Sequence, residues 1–151
     1  DNRQARKAIL DSVARGGGGY WLDLGNRLHD GQVVLGQVPA RWAKPNVERL
    51  PHAVDLLPEI ADETQEADDD TPSCSLADAL EKQSLFVNRG VSLYALNLLW
   101  ELFRYGQVSY HGVFVNLKNA RTTPLPVDPE AWARFGFPKR KRGGKRGSKR
   151  G

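Results

Sequence analysis

Gln32-Val33-Val34-Leu35-Gly36-Gln37-Val38 is dominated by β-branched and aliphatic residues and reads as a strand. A shorter, mostly apolar strand precedes it, Tyr20-Trp21-Leu22-Asp23-Leu24, closed by Gly25-Asn26. Residues 27–31 between them contain Asp30-Gly31, a tight-turn pair, although five residues exceed the commonest hairpin loop. Helical patterns flank the two strands, so the fold class expected is α/β.

Upstream, Ala5, Ile9, Leu10 and Val13 recur at spacings of three and four, with Arg3, Lys7 and Asp11 turned away, which predicts a helix over 1–15. The four glycines 16–19 end it, because glycine tolerates the left-handed cap. From 39 to 72 the pattern dissolves. Prolines stand at 39, 45, 51, 58 and 72, and seven acidic residues fall between positions 59 and 70. A loop this long inside a compact domain is usually functional or mobile.

Ser75 and Asp78 make a capping box for a second helix, predicted over 75–104. Its stripe of Leu76, Leu80, Val87, Val91, Tyr94, Ala95, Leu98 and Leu102 is widened by Phe86, Leu93, Leu99 and Trp100, so burial over much of its circumference is expected. Gly90 in its middle marks a close approach or a break. Residues 107–117 form the clearest strand, with Gly112 placed for a bulge. Residues 122–129 are extended and proline-bearing, suited to a sheet edge, and 130–135 make one short helix with Pro129 at its first turn.

The 151 residues, 40% hydrophobic, amount to one domain. No apolar run approaches the roughly 18 residues needed to span a membrane, and no signal-peptide pattern opens the chain. The single cysteine, Cys74, excludes an internal disulfide framework and a cysteine-rich zinc site, and a cytoplasmic protein is expected. Eight of the 22 basic residues lie in 139–151, leaving 14 against 18 acidic residues, so the body is mildly acidic. With no apolar residue to bury, 138–151 is expected to be a disordered basic tail beyond a folded body of 1–137. Such a tail suits weak, salt-sensitive nucleic-acid contact, and lacks the aromatic residues that stack on bases.

The opening Asp1-Asn2-Arg3-Gln4-Ala5-Arg6 resembles the Asp-Asn-x-x-x-Arg signature of the ThiF/MoeB adenylyltransferases, relatives of the ubiquitin-activating enzymes. The order that follows is similar too: a short strand at Trp21-Leu22-Asp23-Leu24, then Gly31-Gln32-Val33-Val34, a cysteine-bearing loop, and a long apolar helix. Tyr20-Trp21-Leu22-Asp23-Leu24-Gly25-Asn26, Pro72-Ser73-Cys74-Ser75, Glu81-Lys82-Gln83-Ser84-Leu85-Phe86-Val87-Asn88 and Tyr110-His111-Gly112-Val113-Phe114-Val115-Asn116-Leu117 look like the ThiF-family protein of the bacterial PRTRC gene system. The resemblance implies the C-terminal part of a Rossmann-like ThiF fold, with a mixed sheet packed by the long helix. The motif at residue 1 and the lack of methionine imply a longer protein whose nucleotide-binding half precedes Asp1.

What it implies about activity is ATP- and Mg²⁺-dependent adenylation of the C-terminal carboxylate of a small β-grasp, ubiquitin-like or sulfur-carrier protein, by a protein that is often a homodimer. The 151 residues alone would be inactive. Asp1 would serve cofactor and metal binding, holding magnesium and the phosphates of ATP; the plainer reading is a cap for the helix it begins. Cys74 is the candidate catalytic nucleophile, placed just before a helix N-terminus that favours a thiolate, with Asp68, Asp69 and Asp70 opposing ionisation. In the family pattern a cysteine at this place belongs to a zinc site whose other three cysteines are missing here, so no zinc is expected. Cys74 is then a remnant, a packing group at the start of the helix, or a reactive thiol. Asp23 and Asn26 form a polar pair at a strand end, read either as lying beside the adenylation cleft or as a turn in which Asn26 supplies a permissive backbone. His29, His52 and His111 read as structural or exposed. The alternative to an enzyme is a non-catalytic interaction module of a plasmid-borne system, with the tail contacting nucleic acid.

Overall fold

The computed structural model describes residues 3–44, 48–62 and 85–138. Helix α1 (Arg3–Arg15) leads into strand β1 (Gly18–Asn26), and a short loop leads to β2 (Asp30–Pro39). A four-residue helix, α2 (Ala53–Leu56), and a 3-10 turn (Pro58–Ala61) follow. The long helix α3 (Leu85–Tyr105), strands β3 (Tyr110–Asn116) and β4 (Arg121–Pro126), and the short helix α4 (Pro129–Ala133) complete the described elements.

The strands lie side by side in chain order, and every neighbouring pair is antiparallel. The mixed sheet expected from the family resemblance is therefore not what the described residues form. Short loops join β1 to β2 and β3 to β4, and a short connection can only reverse the chain. The coarser expectation of an α/β fold holds.

Alternation along the strands sends side chains to two different cores. On one face Val33 and Leu35 meet Val87, Val91, Ala95 and Leu98 of α3. On the other, Val34 and Leu125 meet Ala53, Leu56, Trp132 and Phe137, brought by α2, α4 and the segment after it. Two glycines let elements come close. A Cβ at Gly31 would lie 2.5 Å from Val91 Cγ1, and one at Gly36 would lie 2.2 Å from the His52 Cα. Thus α3 seats directly on β2, while the chain at His52 crosses the opposite face at backbone distance.

Several local expectations are corrected by this packing. Asp30-Gly31 belongs to β2, and residues 27–29 make the loop, where the Arg27 amide donates to the Asp30 carbonyl at 2.7 Å. Asn26 does not take positive φ; Ala120 is the one non-glycine residue with positive φ among the described residues. The break in β3 pairing falls between Tyr110 and Gly112, so His111 is the extra residue of a bulge and turns toward Trp132. Gly17 and Gly18 have the positive φ expected where α1 stops.

Helix α3 runs through Gly90 without a break. It is not buried around much of its circumference. Only Val87, Val91, Ala95 and Leu98 are buried, whereas Leu93, Leu96, Trp100 and Phe103 stand 55–81% exposed. Residues 75–84, the predicted first part of this helix, lie outside the described residues, as do residues 139–151.

Candidate functional site

The most concentrated polar chemistry lies at one end of the sheet, where β1 and β3 finish and β2 and β4 begin. From α1, the Arg6 guanidinium reaches down: Nε donates to Asp23 Oδ1 at 2.9 Å and Nη2 to the Leu24 carbonyl at 3.3 Å. Both side chains are nearly enclosed, at 11% and 6% exposure, where a charge-assisted hydrogen bond is stronger than in water. Gly25 makes room for this arrangement. A Cβ there would lie 2.5 Å from Gln32 Nε2 and 3.2 Å from Arg6 Nη2. Arg6, Asp23 and Gln32 therefore converge over Gly25. Asp23 Oδ2 is buried and has no hydrogen-bond partner among the described residues.

Gln32 also borders a concavity of about 230 Å³. Phe114 floors it, and Asp30, Asn116, Arg121 and Thr123 supply polar groups. Register explains the grouping. Gln32 lies opposite Phe114, Phe114 opposite Thr123, Asp30 opposite Asn116, and Asn116 opposite Arg121. The Asn116 amide donates to Asp30 Oδ1 and its carbonyl oxygen accepts from the Asn119 amide at 2.9 Å, so this side chain ties both hairpins together.

Asp23 and Asn26, taken together in the sequence reading, are not one cluster. They are three positions apart in β1, so alternation places them on opposite faces of the sheet. Asn26 Nδ2 is separately buried without a partner among the described residues. Asp1 and Cys74, the residues expected to bind metal and cofactor and to act as nucleophile, lie outside the described residues.

A second polar cluster holds loop to sheet. Arg49 clamps the Asp55 carboxylate with two hydrogen bonds, at 2.5 and 2.8 Å, and donates to the Gln37 carbonyl at 2.9 Å. Its guanidinium lies 5.3 Å from the centre of the Phe137 ring. His52 caps α2: its Nδ1 accepts from the Asp55 amide at 3.3 Å, and the Asp55 carboxylate accepts from the His52 amide at 2.8 Å. Burial lowers the His52 pKa below its ordinary 6.5, against the pull of Asp55 and with help from Arg49. The Nδ1 lone pair is thus spent on the Asp55 backbone amide, while Nε2 lies 3.4 Å from Asp55 Oδ2.

His111 is fully buried, and its Nδ1 donates to the Leu35 carbonyl at 2.9 Å. Burial lowers its pKa too, with the Leu35 hydrogen bond opposing. The Trp132 ring stands edge-on at 5.4 Å. His52 and His111 are thus buried, and His29 is exposed.

Among the described residues no three His, Cys, Asp or Glu side chains gather to hold a metal ion. The concavity is smaller than the roughly 300–1,000 Å³ pockets that enclose small-molecule ligands. No described helix is long and apolar enough to cross a membrane.

Comparison with protein-family models, curated proteins and solved structures finds no match.

Proposed function

We propose that these residues form the C-terminal part of a ThiF-type adenylyltransferase that activates the carboxylate terminus of a small ubiquitin-like or sulfur-carrier protein, with loss of pyrophosphate from ATP. The observation that carries this reading is Arg6. It occupies the last position of the Asp-Asn-x-x-x-Arg pattern, and its ion pair with Asp23 fastens the start of α1 over the end of β1. A motif whose task is to hold phosphates beside a strand end needs its helix fixed in that way.

The sheet edge supports the same reading. Pro124 and Pro126 interrupt the donors of β4, a common guard against further pairing. Strand β1 has nine residues, no proline and no lysine, and among the described residues it pairs with β2 alone. Such an edge is fit to continue into a larger sheet, which in the proposed enzyme carries the phosphate-binding loop. ATP and magnesium would depend on that portion together with Asp1.

The test is ATP–pyrophosphate exchange by the intact protein with its small protein partner. Asp1→Ala is expected to abolish exchange, and the 151-residue chain alone to show none. Undiminished exchange in Asp1→Ala, or none in the intact wild-type protein, overturns the proposal. An upstream Gly-x-Gly-x-x-Gly after a strand in the same reading frame would support it.

Charge segregation favours a second reading, an interaction module with a nucleic-acid-contacting tail, since eight of the 22 basic residues lie in 139–151. Deleting 139–151 is then expected to abolish salt-sensitive retention on DNA or heparin. Unchanged retention removes this reading.

A further inference from the structure

Three cations gather on a body that carries more acidic than basic residues. Arg15 closes α1, and Arg41 and Lys44 follow the end of β2. The Arg41 amide donates to the Ala14 carbonyl at 2.9 Å, which sets the segment after β2 against the last turn of α1. The Ala43 amide donates to the Ala40 carbonyl at 2.9 Å and closes a turn with Arg41 and Trp42 at its centre. All three cationic side chains are exposed, and none makes an ion pair or side-chain hydrogen bond among the described residues. The two segments supply no carboxylate of their own: no acidic residue lies between Asp11 and Asp23, or between Asp30 and Glu48.

The same turn holds up an indole. Trp42 is 74% exposed. A Cβ at Gly17 would lie 3.9 Å from Trp42 Cη2, so the ring rests beside glycine main chain. Gly17 has a φ of 108°, which side chains rarely adopt, and the run 16–19 raises no side chain next to the ring. A single exposed aromatic residue needs no explanation. This one is fixed next to three cations without counter-charges, and that combination has a specific use. The cations neutralise phosphates, and the π face takes a base. Bases within a duplex are stacked on one another and offer no free face, so the ligand this chemistry fits is single-stranded. The partial negative charge at the end of α1 opposes an anion, and Arg15 in its last turn offsets it.

We propose that Trp42, Arg15, Arg41 and Lys44 bind single-stranded nucleic acid, with the indole stacked on one base and the three cations meeting the adjoining phosphates. The site is separate from residues 139–151, whose cations come without an aromatic residue. It is also independent of the adenylation reading, because binding needs neither ATP nor a protein partner.

Fluorescence anisotropy of a labelled oligothymidylate of about ten nucleotides, titrated with the 151-residue chain across a range of salt, tests it. Circular dichroism checks the folding of each variant. Trp42→Ala should weaken binding about tenfold and leave the salt dependence unchanged, since a stack is lost and no phosphate contact. That loss should be confined to the single strand. Trp42→Phe should recover most of the affinity while removing most of the quenching of tryptophan emission by the unlabelled oligonucleotide. Arg41→Gln with Lys44→Gln should make the slope of log affinity against log salt shallower by about 1.4, from two phosphates at roughly 0.7 each. Lys118→Gln, at an exposed cation of the β3–β4 loop at the other end of the sheet, should leave affinity unaltered. Absence of binding overturns the proposal, as does a Trp42→Ala chain that binds like wild type. An equal Trp42→Ala loss on a duplex of the same length, or quenching that persists in Trp42→Phe, overturns it as well.

Discussion

Arg6 and Asp23, seventeen positions apart in sequence, are joined by a 2.9 Å ion pair that ties the first helix to the end of the first strand. The pair explains how a helix with no buried residue keeps its place on the sheet. Its apolar side chains are only partly covered, Ile9 at 42% exposure among them, so packing alone gives α1 little hold. The proposed function draws on the same contact, because it orients the motif-bearing end of the helix.

Arg6→Ala should therefore destabilise the fold by about 3–5 kcal/mol, since it strands the Asp23 carboxylate in a dry site. The paired change Arg6→Met with Asp23→Leu should recover most of that loss, because neither charge is then buried. Urea unfolding of wild type, both single variants and the pair reads the coupling directly. An Arg6→Ala midpoint equal to that of wild type would mean that the pair is solvated in solution.

Gly36 and Gly31 should rank differently when each is changed to alanine. The new Cβ at position 36 meets backbone of His52, which has no rotamer to move, whereas at position 31 it meets methyl groups of Val91 and Val87. Overpacking costs about 1–3 kcal/mol in a core that can adjust. Gly31→Ala is expected in that range and Gly36→Ala above it, measured by chemical denaturation. The reverse order would place the crossing segment farther from β2.

The strands were legible because alternation and β-branching are local signals, and the prolines near 124–129 announced both an edge and a helix start. The small helix at 53–56 was not, since Pro51 and Pro58 bracket only one turn and obscure it. Asp30-Gly31 misled for a tertiary reason: that glycine serves the approach of α3 and not a turn. Apolarity around α3 suggested burial, but composition does not reveal which face is covered. At the site, Arg6 and Asp23 were each singled out in separate groupings, and only the ion pair between them was not legible. The Asp30–Asn116 contact spans 86 positions and follows only from strand register.

Stability should fall in mild acid. His52 and His111 both have pKa values below 6.5 in the folded state, so the unfolded chain binds protons first as pH drops. Their contribution is fully present above the unfolded value of 6.5 and is lost progressively as pH falls below it toward the folded values. Each histidine adds a slope of at most about 1.4 kcal/mol per pH unit. His52→Asn, which keeps a side-chain acceptor for the Asp55 amide, should lower the slope without removing the cap. Urea unfolding across this range decides the point, and a slope unchanged in His52→Asn would show that His52 does not contribute.

Cys74 offers the sharpest test of the proposed chemistry, because a thiol and a packing group fail in different ways. Its place just before the predicted 75–104 helix favours a thiolate, and the neighbouring Asp68, Asp69 and Asp70 oppose one. In the intact protein, with ATP and the small protein partner, a thiol-cleavable adduct should form on Cys74. Cys74→Ser should convert it to a stable ester or lose it, and Cys74→Ala should abolish it while leaving ATP–pyrophosphate exchange intact. Asp1→Ala should suppress both, since adenylation precedes transfer and the metal would lose a ligand. Denaturing electrophoresis with and without reductant, beside the exchange assay, separates these steps. Retention of every partial reaction in Cys74→Ala, with only a lowered unfolding midpoint, would assign the residue to packing at the start of that helix.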